Sequence, residues 1–367
     1  MKKSIQIFLV LLLLLFLPAC SEEQAIAPSG STVKIGVIGP MSGPQKIIGE
    51  AALGGIQTAL HMYPYLENGD KIQLIVEDDQ NQPELTIKAF KKIIHSENIS
   101  AILLLSTSGS ALAVNSIADT YEIPVLTLIA SHPEISINKK FTNQFCFDNS
   151  VQGKVAALFI RDELLIERVA VFNNPDSFHS TSLADEFINT FQSIQGQVVE
   201  LTSITAETTD YKEILERLRG QNVELLYMPV AADNIIAIAK TLRQMKWAPQ
   251  MMSSDGVFAK LRHKLGRNLK KVEGLLTIDL YASNLDESSL GEKAQRQYAA
   301  LFKHKTTPYT GVGFEGVVLL TDAMNRCHDP ADSICVNEMI RLTKDFEGIM
   351  GKITITSSGK TLRPLIV

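Results

Sequence analysis

The feature that most constrains the fold is a regular alternation of short apolar runs with segments of helical spacing, continued for about 220 residues. Val33–Ile38, Ile72–Val76, Ala101–Leu105 and Pro124–Ile129 read as strands. Between them, Gly49–Tyr63, Pro83–Glu97 and Ser110–Tyr121 carry apolar residues at helical spacing. The rhythm resumes with strands at Val169–Phe172, Val198–Thr202, Leu225–Met228 and Gln250–Met252. Helical patterns at Ser182–Gln195, Tyr211–Arg219 and Asn234–Met245 separate them. Ala101–Leu105 is apolar at every position, as a strand buried on both faces must be. Strand–helix alternation of this kind predicts parallel, doubly wound α/β sheets. One sheet ends near residue 150 and another begins near 168, so two lobes are expected. In such sheets ligands bind beyond the carboxyl ends of the strands, often between domains.

The N-terminus reads differently. Lys2 and Lys3 precede an apolar run, Ile7–Leu17, which is too short for a hydrocarbon core needing ~20 residues and suits a signal-peptide core. Leu17-Pro18-Ala19-Cys20 resembles the lipobox of bacterial lipoproteins, with Pro18 a departure; an ordinary cleaved signal is the alternative. The polar stretch 21–32 suits a tether. Loss of Lys2 and Lys3 moves the formal charge from −5 to −7. That acidity excludes an electrostatic footprint for nucleic acid and a polybasic membrane patch.

Four cysteines divide into three environments. Cys20 is the lipid candidate, and Cys146, between Phe145 and Phe147, reads as a buried small hydrophobe. Cys327 and Cys335 flank a polar turn and either close a small disulfide loop or remain two thiols. His328 beside Cys327 has no second ligand pair at zinc spacing, so no metal is expected. No cofactor is expected either. Gly311-Val-Gly313-Phe-Glu-Gly316 matches the glycine spacing of dinucleotide sites but follows a polar, proline-containing segment instead of a strand. Close helix packing at the start of a helix over Phe314–Met324 explains it better. Ser357–Lys360 has S-x-x-K spacing in a C-terminal turn, and no nucleophile–base constellation accompanies it.

The polar residues that follow strands carry more chemistry. Ser106-Thr107-Ser108-Gly109-Ser110 opens a helix, where N–H groups and hydroxyls suit a carboxylate. Ser131 follows the next strand, and Asp255 follows Met251–Met252 in the second lobe. As local features these are an N-cap, a turn serine and a turn aspartate. As a set, a carboxylate-friendly wall and an anionic group on opposite lobes suit a zwitterion.

Ile35-Gly-Val-Ile-Gly-Pro-Met-Ser-Gly-Pro44, followed by Gly49, resembles the opening of type I periplasmic solute-binding proteins of the branched-chain amino acid class. Asp78-Asp79-x-x-x-Pro83, Ser106–Ser110, Ile123-Pro124-Val125, Glu273-Gly274 and Phe346–Ile353 with Gly359 continue the likeness in order along nearly the whole mature chain. The resemblance implies two Rossmann-like lobes joined by three hinge crossovers near 150, 278 and 349, closing on ligand. Its domain division is a signal over 1–19, a tether over 20–32, an N-terminal lobe of 33–150 plus 279–348, and a C-terminal lobe of 151–278 plus 349–367. It places a ligand α-carboxylate on Ser108 and Ser131, with Thr107 beside them and the backbone of Ile129 and Ala130 adding a carbonyl and an N–H. Asp255, before Gly256, takes the ammonium. His179 and Ser180 stand where relatives carry a covering Tyr-Gly, so His179 either contacts ligand or caps a helix. Ile48 and Ala231 replace pocket aromatics. Asn81 and Thr107 stand where some relatives form a disulfide. The implied function is non-enzymatic: an exported, membrane-tethered protein delivering a small amino acid or amide to the permease of an ABC importer. Alternatives on the same fold are a sensor for a signalling partner and a degenerate protein used for protein contacts.

Overall fold

The computed structural model describes residues 26–205, 207–280 and 289–367. The signal-peptide reading and Cys20 lie outside the described residues. Two five-stranded parallel sheets organise the chain. The first contains β1 (Thr32–Gly39), β2 (Lys71–Asp78), β3 (Ile99–Leu104), β4 (Val125–Thr127) and β5 (Thr142–Gln144) in the order β2-β1-β3-β4-β5. The second contains β6 (Arg168–Asn173), β7 (Gln197–Ser203), β8 (Leu225–Tyr227), β9 (Gln250–Ser253) and β10 (Leu275–Thr277) in the order β10-β9-β8-β6-β7. Counted from its own first strand, each sheet follows the same 2-1-3-4-5 order. Each therefore reverses direction once, between its first and third strands, and opens a crevice there.

Helices connect the strands. In the first lobe these are α1 (Lys46–Met62), α2 (Pro83–Ser96) and α3 (Ser108–Tyr121). Then come α4 (Asn149–Leu158), α5 (Phe178–Ser193), α6 (Lys212–Gly220), α7 (Ala232–Met245) and α8 (Val257–Leu265). The central strands are apolar because both faces are covered. Every residue of β3 is buried, and Ile35 of β1 sits in register between Leu74 and Ala101. Beneath the second sheet Phe187 of α5 stacks on Tyr227 of β8 at 4.0 Å between centroids.

After β10 the chain returns through α9 (Ser289–Phe302), α10 (Pro308–Asn325) and α11 (Ser333–Arg341). The glycine-spaced segment lies within α10, whose start at Pro308 is earlier than the sequence predicts because Thr307 caps it. A Cβ at Gly313 would sit 1.9 Å from the Ala52 carbonyl of α1, and one at Gly55 would sit 2.0 Å from the Thr310 carbonyl. The glycines thus let two helix backbones touch, and no strand precedes them to make a dinucleotide turn.

β11 (Phe346–Gly348), β12 (Gly351–Ile355) and β13 (Thr361–Leu362) form a small antiparallel sheet. The division drawn from the sequence gives residues 349–367 to the C-terminal lobe, whereas much of this segment is fastened to the first. Gln144 of β5 donates its N–H to the Gly359 carbonyl at 2.7 Å, and Thr361 donates its hydroxyl to the Gln144 carbonyl. The stretch read as a tether is also attached at its end, where the Ser29 N–H bonds the Gly69 carbonyl at 2.8 Å. Cys327 and Cys335 are joined by a disulfide between α10 and α11. Cys146 is free and buried, and burial pushes its thiol well up.

Candidate functional site

A cavity of ≈ 390 Å³ opens between the lobes, within the range of small-ligand pockets. Its walls are the loops that leave β1 and β3 in one sheet and β6 and β8 in the other, the two switch points, together with the loops after β4 and β9.

On the first lobe, Asp79 fixes the loop that opens α3. Its buried carboxylate accepts from the hydroxyls of Ser106 and Thr86 at 2.5 and 2.8 Å and from the Asn81 N–H at 2.9 Å. The Ser110 hydroxyl lies 2.8 Å from that of Thr86 and, with the Thr86 hydrogen given to Asp79, donates to it. Two of the three serines in the segment are thereby consumed in holding the loop. Ser108, the first residue of α3, lines the cavity, and its Oγ accepts from the Ser131 N–H at 3.4 Å. Thr107 is the N-cap, yet its side chain makes no capping bond, so the first N–H groups of α3 have no side-chain cap. The Thr107 N–H donates to Asn81 Oδ1 at 2.7 Å, a hydrogen bond at the two positions where some relatives would form a disulfide. Ile129 and Ser131 line the cavity, while Ala130 is packed into the core beneath α3.

On the second lobe, His179 joins the walls. Its Nδ1 lies 3.0 Å from Ser131 Oγ, and its Nε2 lies 3.3 Å from Ser254 Oγ and 3.7 Å from Asp255 Oδ1. Burial lowers the pKa of this imidazole, Asp255 opposes that and Lys260 adds to it, so the charged form of the ring is disfavoured. The helix-capping alternative does not apply: Ser177 caps α5 by accepting the Ser180 N–H. Ile48 and Ala231 both line the cavity.

Asp255 is positioned by a residue that sequence reasoning missed. Gln152, fully buried on α4, donates Nε2–H to Asp255 Oδ1 at 2.8 Å and accepts the Asp255 N–H at 3.0 Å. Gly256 follows at φ +66°, and a Cβ there would strike the Tyr309 hydroxyl at 2.3 Å. That hydroxyl donates to the Gly256 carbonyl at 2.9 Å and so ties the Asp-Gly turn to α10. Behind the turn, burial pushes Asp279 up to about 7, and the nearby Asp255 charge adds to the shift. Phe178 was also missed. It meets His132 of the other lobe edge-to-face at 6.2 Å and overlies Gly109 at the mouth of the cavity. An aromatic ring thus stands at the cavity mouth one residue before the position where relatives carry theirs. The sequence holds the signal, since Phe178 adjoins the position the resemblance indicates.

Comparison with known proteins agrees with this architecture. The family profile described as periplasmic binding protein matches residues 32–366. A Leu/Ile/Val-binding protein of Rhizobium johnstonii is 23% identical over 345 residues, 91% of this chain and 90% of the relative. The Leu/Ile/Val-binding protein of Escherichia coli is 22% identical over 304 residues, 82% of this chain and 81% of the relative. Among solved structures, a leucine-binding protein of Thermotoga maritima superposes with a TM-score of 0.83 at 26% identity, covering 91% of this chain and 94% of its own. An ABC-transporter solute-binding protein of Rhodopseudomonas palustris in complex with benzoate has a TM-score of 0.78 at 17% identity, covering 91% and 92%; it shares the fold.

Proposed function

Because the chain belongs to the periplasmic binding protein family, we propose that it captures a small α-amino acid or related amide between its lobes and delivers it to an ABC importer. The observation that carries the reading is the opposition of Ser108, Ser131 and the uncapped start of α3 to Asp255 across one cavity. A carboxylate on the first wall gains backbone and hydroxyl donors, and an ammonium on the second gains a charge-assisted partner. The relatives named for leucine, isoleucine and valine binding support an amino-acid ligand. Ligand touching both walls favours the closed arrangement, and that preference shifts the population toward the form a permease would recognise. A ligand-sensing subunit for a signalling partner would use the same closure. In this proposal the lobes hinge near 150, 278 and 349.

The test is a thermal-shift screen of the purified protein against α-amino acids, amides and carboxylates. A ligand at 100 times its Kd adds ~2.7 kcal/mol of stability. Stabilisation by α-amino acids is expected, and Ser108→Ala should weaken it by about 1 kcal/mol, the worth of one hydrogen bond. Silence across the panel, or hits confined to ligands lacking an ammonium, would overturn the amino-acid reading.

We also propose that the N-terminal segment directs export and that Cys20 is acylated, on the strength of the basic start, the short apolar run and Ala19-Cys20. Intact-mass measurement of protein extracted from membranes should find acyl chains on a polypeptide beginning at Cys20. A soluble, unmodified product would exclude the anchor.

A further inference from the structure

Lys260 is a charged group of the cleft with no role in the reading above. It lies one turn into α8, half-buried, and lines the cavity beside Asp255, His179 and Tyr309. Lys264, its neighbour on the helix, pairs with Asp233 at 3.0 Å. No ion pair or hydrogen bond reaches the Lys260 ammonium among the described residues. Burial pulls its pKa down, Asp255 opposes that shift, and Lys264 adds to it. Together with Tyr309 it also borders a second cavity of ≈ 560 Å³, where Arg262 and Lys305 add cationic side chains and Asp279 an acidic one.

The charge count of the cleft follows. With the pocket empty, the Asp255 carboxylate is the nearby anion that compensates Lys260. A ligand ammonium on Asp255 makes two cations share that one carboxylate, while the ligand α-carboxylate is held away on the start of α3. A neutral side chain leaves the excess uncorrected, and a half-buried excess charge is costly. An anionic side chain cancels it. Asp176, the other acid lining the cavity, is exposed at the rim and screened by water.

Resting on the amino-acid reading of the cleft, we infer that the ligand is an acidic α-amino acid, with Lys260 taking its side-chain carboxylate. The probes are L-glutamate, L-aspartate, L-glutamine and L-leucine, titrated calorimetrically against the full protein. Glutamate or aspartate should bind at least about tenfold more tightly than glutamine, which matches glutamate in shape without its charge. Lys260→Met should remove that preference and leave glutamine binding within about threefold, with Lys260→Gln as a second variant and melting temperature confirming the fold of each. Glutamine or leucine binding as tightly as the acids, or acid binding indifferent to both variants, would overturn the inference and leave the amino-acid reading standing. Failure of all four probes would overturn the inference, and the amino-acid reading falls with it only if the wider thermal-shift panel is silent too.

Discussion

Asp255→Ala is expected to abolish measurable binding of an amino-acid ligand, with a loss of about 3–5 kcal/mol, or about two to four orders of magnitude in Kd. The size follows from the setting. The Asp255 side chain is only 16% exposed, so a ligand ammonium placed there gives up most of its water. The carboxylate is pre-oriented by Gln152 through two hydrogen bonds, so little ordering remains to be done on binding. Alanine also strands the Gln152 amide, which mixes ligand loss with local disorder. Asp255→Asn separates the two effects: its Oδ1 can still accept from Gln152, and only the charge is gone. If the carboxylate binds an ammonium, asparagine loses nearly as much as alanine in calorimetric titration while its melting temperature stays near that of the parent. Retention of affinity by asparagine would show that Asp255 serves the turn and not the ligand.

The same residue shows how far the sequence reaches. Asp255 and the serines after β3 and β4 were visible because a polar residue just past a buried parallel strand has one natural place, the mouth of the crevice. The strands themselves were legible because burial on both faces forces unbroken apolar runs, as in β3. What escaped has equally physical causes. β5 is Thr142-Asn143-Gln144, three polar residues that are nonetheless fully buried, and no hydrophobic period marks them. They are tolerated inside because distant groups bond them: Asn337 and Arg341 of α11 hold Asn143 at 2.9 and 2.8 Å, and Ser136 donates to Gln144 at 3.0 Å. Gln152 escaped likewise, being 103 residues from the carboxylate it clamps. The fastening of residues 356–362 to β5 rests on the Gln144 N–H to the Gly359 carbonyl and the Thr361 hydroxyl to the Gln144 carbonyl, bonds that no hydrophobic period marks. Periodicity reports the face a residue presents, and it is silent on its partner.

Removal of Glu315 is expected to cost the largest amount of stability of any change considered, about 3–5 kcal/mol, a large share of the ~5–15 kcal/mol typical of a folded domain. Glu315 of α10 and Arg363 near the C-terminus are 1% and 0% exposed and pair at 2.7 Å. The other Glu315 oxygen accepts the Met350 N–H at 2.8 Å, and the guanidinium lies 4.8 Å from the centre of the Phe145 ring. Among the described residues Arg363 Nε and Nη1 have no hydrogen-bond partner, so this cation depends on Glu315 for its compensation. Glu315→Ala leaves a buried guanidinium without a counter-charge and frees the backbone at Met350, beside the proposed third crossover. Urea unfolding should register the loss in full. The double variant Glu315→Leu/Arg363→Met should recover much of it, because apolar groups of similar volume often replace a buried pair at little cost. A loss under about 1 kcal/mol for Glu315→Ala would mean water already reaches the pair. The comparison also bears on closure. If the pair fixes how the C-terminal segment lies across the lobes, the double variant regains stability while ligand affinity stays reduced. If it serves only the core, affinity returns with stability.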